Sequence, residues 1–261
     1  MANLYVLSPV LQALLAGCFT FAVTALGAAV VLLPLRARPC FLSAMLGFSA
    51  GIMLASSFWS LLSPGIALAQ ALRQPPWLVS ALGFLAGCAV PEGADTLLRH
   101  CFHCAGDTRS RRTRLLVLSI TLHNLPEGLA IGAAFGALTG NASPSAALAA
   151  WMLAIGIGLQ NFPEGAAVSL PLFRDGMRRT RAFLFGQLSG VVEPLAAMLG
   201  ALLAVRVRLA LPFTLCFAAG AMVSVAVSEL IPESQHSDHP RLSCLWTLAG
   251  FTLMMVLDVA L

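Results

Sequence analysis

The sequence predicts an all-α integral membrane protein, a bundle of eight transmembrane helices with the character of an inverted repeat. Three observations carry that reading. Of 261 residues, 59% are apolar and only 10% are charged, with a mean hydropathy of +0.88. A helix needs about 20 apolar residues to cross a hydrocarbon layer about 30 Å thick, and stretches of that length recur along the whole chain. A polar hexapeptide in the middle of one stretch, His123-Asn124-Leu125-Pro126-Glu127-Gly128, returns in the next as Gln160-Asn161-Phe162-Pro163-Glu164-Gly165.

The spans read as residues 5–33, 41–68, 77–98, 115–138, 146–172, 182–205, 211–231 and 242–261. They leave little chain over, so residues 1–261 read as one transmembrane domain with a short cytosolic loop, 99–114, between spans 3 and 4. No basic residue precedes the first apolar run, and no cleaved signal peptide is expected. The net charge is +4 and every basic residue but histidine is arginine. Twelve of the fifteen arginines lie in the loops 1–2, 3–4, 5–6 and 7–8, and only Arg73, Arg206 and Arg208 lie in the others. By the positive-inside rule the twelve face the cytosol, so both termini and the loop between spans 4 and 5 face outward, most naturally from a plasma (inner) membrane. The basic runs therefore direct topology, and no nucleic-acid partner is expected. The lipid bilayer is the partner expected from this pattern, with a homodimer left open. Of seven cysteines, Cys18, Cys88 and Cys216 fall within spans, and Cys40, Cys101, Cys104 and Cys244 fall at the cytosolic side. None lies in an outer loop, so no disulfide framework is expected.

Taken in order, span 1 carries no charge and reads as scaffold. Span 2 holds Gly47, Ser49, Gly51, Ser56, Ser57 and Ser60, small residues that let membrane helices approach closely. Met53, near its middle, is either packing or a soft thioether ligand. Span 3 ends inward with Glu92, Asp95, Arg99, His100, Cys101, His103 and Cys104. The Cys101-Phe102-His103-Cys104 run has the gap of a metal-binding loop, but a structural zinc site takes a second pair and the chain has none. It reads as a solvated loop with reduced thiols or as a cytosolic metal acceptor near an exit.

Span 4 carries the first hexapeptide. His123 and Glu127 are four residues apart, so both point from one helix face, with Asn124 one step round. Pro126 lacks an N–H and clashes with the carbonyl of Leu122, which fits a helix bent around a polar site. Asn141-Ala142-Ser143 is formally a glycosylation triplet, but Pro144 follows and both helix ends are close, so no glycan is expected. Span 5 repeats the arrangement with Gln160, Asn161, Pro163 and Glu164. The short gap makes spans 4 and 5 antiparallel neighbours, and their facing half-sites follow the logic of inverted-repeat transporters. Glu193, in the middle of span 6 and followed by Pro194, is expected to face the same site. Span 7 ends inward with Ser228, Glu229, Glu233, His236, Asp238 and His239, a solvated cluster or an exit relay; Glu92, Asp95, Glu229, His236 and His239 are the candidate exit residues. Asp258 in span 8 reads as interfacial.

An ionisable residue at membrane depth costs about 2.5–3.5 kcal/mol on insertion scales and is a functional candidate by default. The intramembrane donors are His123, Asn124, Glu127, Gln160, Asn161, Glu164 and Glu193. Three carboxylates alone would repel, and a divalent ion neutralises two of the charges. Seven donors exceed the four to six that one ion takes, so two adjacent ions bridged by Glu127 and Glu164 are permitted. Histidine, carboxylate and amide oxygen together suit Zn, Fe, Mn or Cd better than Mg or Ca. The ion is cargo, and no cofactor is expected.

These motifs, with Ser189-Gly190-Val191-Val192-Glu193-Pro194, resemble the ZIP (Zrt/Irt-like) family of metal transporters. Residues 47–65, 228–234 and 251–261 resemble its GufA-like branch. The resemblance implies a ZIP-like eight-helix bundle that moves divalent metal toward the cytosol by an elevator-like movement. By motif it puts Met53, His123, Glu127, Gln160 and Glu164 at one metal position. Asn124, Asn161 and Glu193 would form a second, with Glu127 and Glu164 shared. Two residues depart from the family's pattern: Asn161 stands where aspartate is frequent, and Ser228 where histidine is. The first leaves the second position with less charge.

Zinc is the first expected cargo, with iron, manganese and cadmium as further candidates. Two other functions compete with transport. An intramembrane zinc hydrolase needs three His, Glu, Asp or Cys ligands and an open position, and the spans supply a single histidine. A metal sensor built on the Cys101–Cys104 loop leaves three midplane glutamates without a purpose. An enzyme is not expected.

Overall fold

A computed structural model of the chain describes residues 7–33, 39–101, 121, 124–138, 144–235 and 240–260. Among them the structure is helical throughout, with no strand. The helices are α1 (Pro9–Ala28), α2 (Pro39–Ser56), α3 (Ser63–Ala71), α4 (Pro76–Cys101), α5 (124–136), α6 (Pro144–Arg174), α7 (Arg179–Ser189), α8 (Val192–Arg206), α9 (Leu211–Val225), α10 (Ile231–Gln235) and α11 (Pro240–Ala260). Helices dominate because every backbone N–H and C=O in hydrocarbon needs a partner within its own segment. Six helical stretches among the described residues are long and apolar enough to cross a membrane. The other two expected spans fall on α4, 26 residues long, and on the part of span 4 that α5 covers.

Local signals set the ends. Ser8 caps α1: its Oγ accepts from the Leu11 N–H at 3.3 Å, and Pro9 opens the helix where its missing N–H costs nothing. Spans 2 and 7 each contain a π-helical turn, Ser57–Leu62 and Ala226–Leu230, leading into α3 and α10. Such turns insert one extra residue into a helix and are frequent at functional sites.

Span 6 differs from the single helix expected. It breaks at Gly190–Val191 into α7 and α8. Pro194 has no N–H to give the Gly190 carbonyl, which accepts instead from the Glu193 N–H at 3.0 Å in a tightened turn. Glu193 therefore stands in the first turn of α8, where the positive end of the helix dipole favours a carboxylate.

The helices form two groups. In one, α1 packs against α6, α7 and α8, and α5 lies on α8; in the other, α2 packs on α11 and α4 on α9. The groups meet where α2 runs along α6. Buried faces are rich in alanine, glycine, serine and threonine, while large leucines such as Leu26, Leu85, Leu195 and Leu245 point outward. Lipid is as apolar as leucine, so close packing of small residues rather than burial of large ones joins membrane helices.

The ends of the bundle sort the loops. Arg179 donates to the carbonyls of Leu32 and Leu33, at 3.2 and 2.7 Å, which puts the loops 1–2 and 5–6 at one end. Gln74 donates to the Leu209 carbonyl at 2.8 Å, which puts the arginine-poor loops 2–3 and 6–7 together at another.

Candidate metal centre

The two repeated motifs lie on α5 and α6, side by side in the first group. Asn124, Glu127, Gln160, Asn161, Glu193 and Met53 are each at most 1% exposed, and Glu164 is 5% exposed. Burial to this degree makes every unsatisfied polar atom costly, so the partners decide what the site can hold.

Close approach of the helices depends on glycine. A Cβ at Gly128 would lie 2.6 Å from the Glu193 carbonyl of α8, and one at Gly132 would collide with the Ala197 carbonyl a turn further on. On the other side, a Cβ at Gly165 would run into the Thr24 carbonyl of α1. The motif glycines thus bring α8 against α5 and α1 against α6, and deliver Glu193 and Thr24 to the polar layer.

Three carboxylates receive defined donors there. Gln160 Nε2 donates to Glu127 Oε1, which ties α6 to α5 through the two motifs. Asn161 Nδ2 donates to Glu193 Oε2 at 2.7 Å, and Thr24 Oγ1 donates to its other oxygen at 3.2 Å. Ser49 Oγ on α2 donates to Glu164 Oε1 at 2.9 Å and approaches the Gln160 carbonyl at 3.3 Å. Asn124 Nδ2 donates to the Ser189 carbonyl at the end of α7, at 2.9 Å.

These bonds orient the amides. An ionised carboxylate and a carbonyl only accept, so each must face the NH2 of its amide partner, and the amide oxygen turns the other way. The result is four buried acceptor oxygens with no hydrogen-bond donor: Asn124 Oδ1, Glu127 Oε2, Gln160 Oε1 and Asn161 Oδ1. All four belong to the two motifs; Gln74 Oε1 and Asp258 Oδ2, also buried without a donor, lie apart from them. Buried acceptors without donors fit a cation, whose charge replaces the missing hydrogens.

Among the described residues no three His, Cys, Asp or Glu side chains lie close enough to share an ion. Glu127, Glu164 and Glu193 are spread along the layer, each beside an amide or hydroxyl. His123, the remaining motif donor, lies outside the described residues, as do His236, His239, Asp238 and the Cys101–Cys104 side chains; of Asp95 only its place on α4 is described. At the expected inner end Glu92 is exposed and accepts from Ser224 at 3.2 Å, and Glu229 is half-buried in the π-helical turn of span 7. Asp258 is half-buried and accepts from Ser60 at 2.6 Å, apart from the motifs.

Two residues of the layer escape a reading based on charge. Span 1 is more than scaffold, because Thr24 serves Glu193, and Ser49 is more than a packing residue, because it serves Glu164. A hydroxyl in a membrane helix readily turns to its own backbone, and Thr24 Oγ1 lies 3.1 Å from the Thr20 carbonyl, so nothing local marks it as a partner.

Comparison with known proteins identifies the family. The family model described as ZIP Zinc transporter matches residues 105–258, more than half of the chain. Zinc transporter ZIP11 of Xenopus tropicalis is 36% identical, over 97% of this chain and 98% of its own length. Zinc transporter ZIPB of Bordetella bronchiseptica is 40% identical over 95% of this chain and 81% of its own. Zinc transporter GufA of Myxococcus xanthus is 41% identical over 60% of this chain and 59% of its own. A family model over more than half of the chain, and a relative matched almost end to end, establish that the chain belongs to the ZIP family.

Proposed function

We propose that the chain carries divalent transition-metal ions, zinc first, across the membrane toward the cytosol. The observation that carries this is the set of four donorless acceptor oxygens on the two motifs, Asn124, Glu127, Gln160 and Asn161, buried in a bundle with six helical stretches long and apolar enough to cross a membrane. The names of the relatives, zinc transporters each, support the same cargo. His123 completes the first motif in sequence and adds the nitrogen that favours zinc over calcium or magnesium. Met53 adds a soft donor from α2, and Glu164 and Glu193 complete the charge. In this reading eight helices cross an inner membrane with both termini outward, and the ion leaves past Glu92, Asp95 and Glu229 toward His236 and His239.

Ligands bind metal only when deprotonated, so loading and proton release are linked, and an acidic destination favours unloading. A hydrolytic zinc centre finds no support here. It takes three His, Glu, Asp or Cys ligands around one ion, and among the described residues no three such side chains lie close enough to share one. The test is uptake of Zn, Fe, Mn and Cd into proteoliposomes at several imposed pH gradients. Saturable zinc entry supports the proposal; vesicles no more permeable than empty ones would reject it.

A further inference from the structure

A stretch outside the proposed site, Phe217-Ala218-Ala219-Gly220-Ala221-Met222 on α9, repeats the pattern of Phe48-Ser49-Ala50-Gly51-Ile52-Met53 on α2. The copies agree in three dimensions. Each methionine is followed, four residues later, by the start of a π-helical turn, at Ser57 and at Ala226. A Cβ at Gly51 would strike the Thr247 carbonyl of α11, and one at Gly250 the Phe48 carbonyl in return. On α9 the same pair recurs: Gly220 lies against the Phe84 carbonyl of α4, and Gly87 against that of Phe217. The α2–α11 and α9–α4 joints are one joint built twice.

The other group is duplicated in the same sense. Gly165 of α6 lies against α1, and Gly128 of α5, the equivalent motif residue, lies against α8. The operation that exchanges α5 with α6 therefore exchanges α2 with α9. Four spans, an even number, lie between them in the eight-span order, so spans 2 and 7 run in opposite directions and the repeat is inverted. Inverted repeats hold their substrate at the interface, and access alternates as one bundle moves against the other.

In the arrangement described, α6 docks on α2. Ser49 donates to Glu164, and Met53, four residues on, lies one turn along the same face. It shares a cluster with Ile157, one turn from Gln160. The equivalent face of α9 carries Ala218 and Met222, at most 1% exposed and in that same cluster. The metal reading leaves Met222 without a task.

We propose that Met222 is a second soft-donor position for the transported ion. In the opposite-facing state the motif of α5 docks along α9, and the Met222 thioether stands beside it as Met53 stands beside α6. A sulfur then attends the ion at both ends of its passage. The inference rests on the proposed transport function.

Sulfur favours soft Cd over hard Mn, so the ratio of their fluxes reports it. Native protein, Met53→Leu, Met222→Leu and Met222→Cys are compared in proteoliposomes. Leucine keeps the volume and is expected to preserve the fold. Each leucine variant should lower the Cd-to-Mn flux ratio at least threefold, and the double variant further. Met222→Cys, smaller but sulfur-bearing, should hold the ratio at or above native, which packing alone would not predict. A native ratio in Met222→Leu, or equal ratios in its leucine and cysteine variants, would overturn the inference while leaving transport standing. A native protein that moves neither of these metals nor zinc would overturn the transport proposal itself, and this inference with it.

Discussion

Asn161 shows at one position how the polar layer balances its charges. Its NH2 lies 2.7 Å from Glu193 Oε2, so it serves as a donor to a buried carboxylate while its own oxygen has no donor. In Asn161→Asp the donor disappears and two carboxylates face each other. Without metal that is unfavourable by roughly 1–3 kcal/mol, the usual scale for an unsatisfied buried group. With a dication between them the sign reverses. The variant should therefore melt several degrees below the native protein in chelator and gain more than the native protein from added zinc. Equal metal-induced shifts in the two proteins would show that Asn161 is remote from the ion. The same chemistry predicts that zinc binding to the variant weakens more steeply toward pH 5 than native binding does, because the added carboxylate must be ionised to contribute. Equilibrium dialysis at two pH values measures it.

At the scale of elements, helix spacing rests on glycine where another helix's carbonyl lies directly opposite. Gly132 faces the Ala197 carbonyl, and Gly93 near the end of α4 faces nothing within 4 Å among the described residues. Gly132→Leu should separate α5 from α8 at a cost of about 1–3 kcal/mol or more. Gly93→Ala should be neutral or stabilising by about 0.5–1 kcal/mol, through helix propensity alone. Thermal melts in detergent compare them, and equal effects would contradict the packing. The motif helices were legible because proline and paired polar residues are costly in an apolar run and mark a polar site when they recur together. The break before Glu193 was not, although Gly190 and Pro194 both signal it. A single proline often leaves a helix continuous, as Pro163 and Pro171 do in α6. Thr24 and Ser49 stayed hidden because a hydroxyl's partner lies on another helix, and sequence distance says nothing about it.

For the whole molecule, arginine placement anticipated which loops share an end of the bundle. Loops 1–2 and 5–6 meet through Arg179, and loops 2–3 and 6–7 meet through Gln74. If the arginine-rich end faces the cytosol, a cysteine at position 110, in a chain stripped of its own cysteines, should resist membrane-impermeant reagent in intact cells. A cysteine at position 74 should react. The reverse pattern would invert the topology. The internal duplication was legible in the hexapeptides but not in spans 2 and 7. There it lies in apolar residues that any membrane helix could carry, and only the matched glycine joints expose it. The central claim, that the α5 and α6 motifs hold a transported metal ion, is tested most directly by zinc flux into proteoliposomes containing native protein, Glu127→Ala or Glu164→Ala, each reconstituted at equal density. The account predicts saturable flux from the native protein and a loss of at least tenfold in each variant; near-native flux from either one would contradict it.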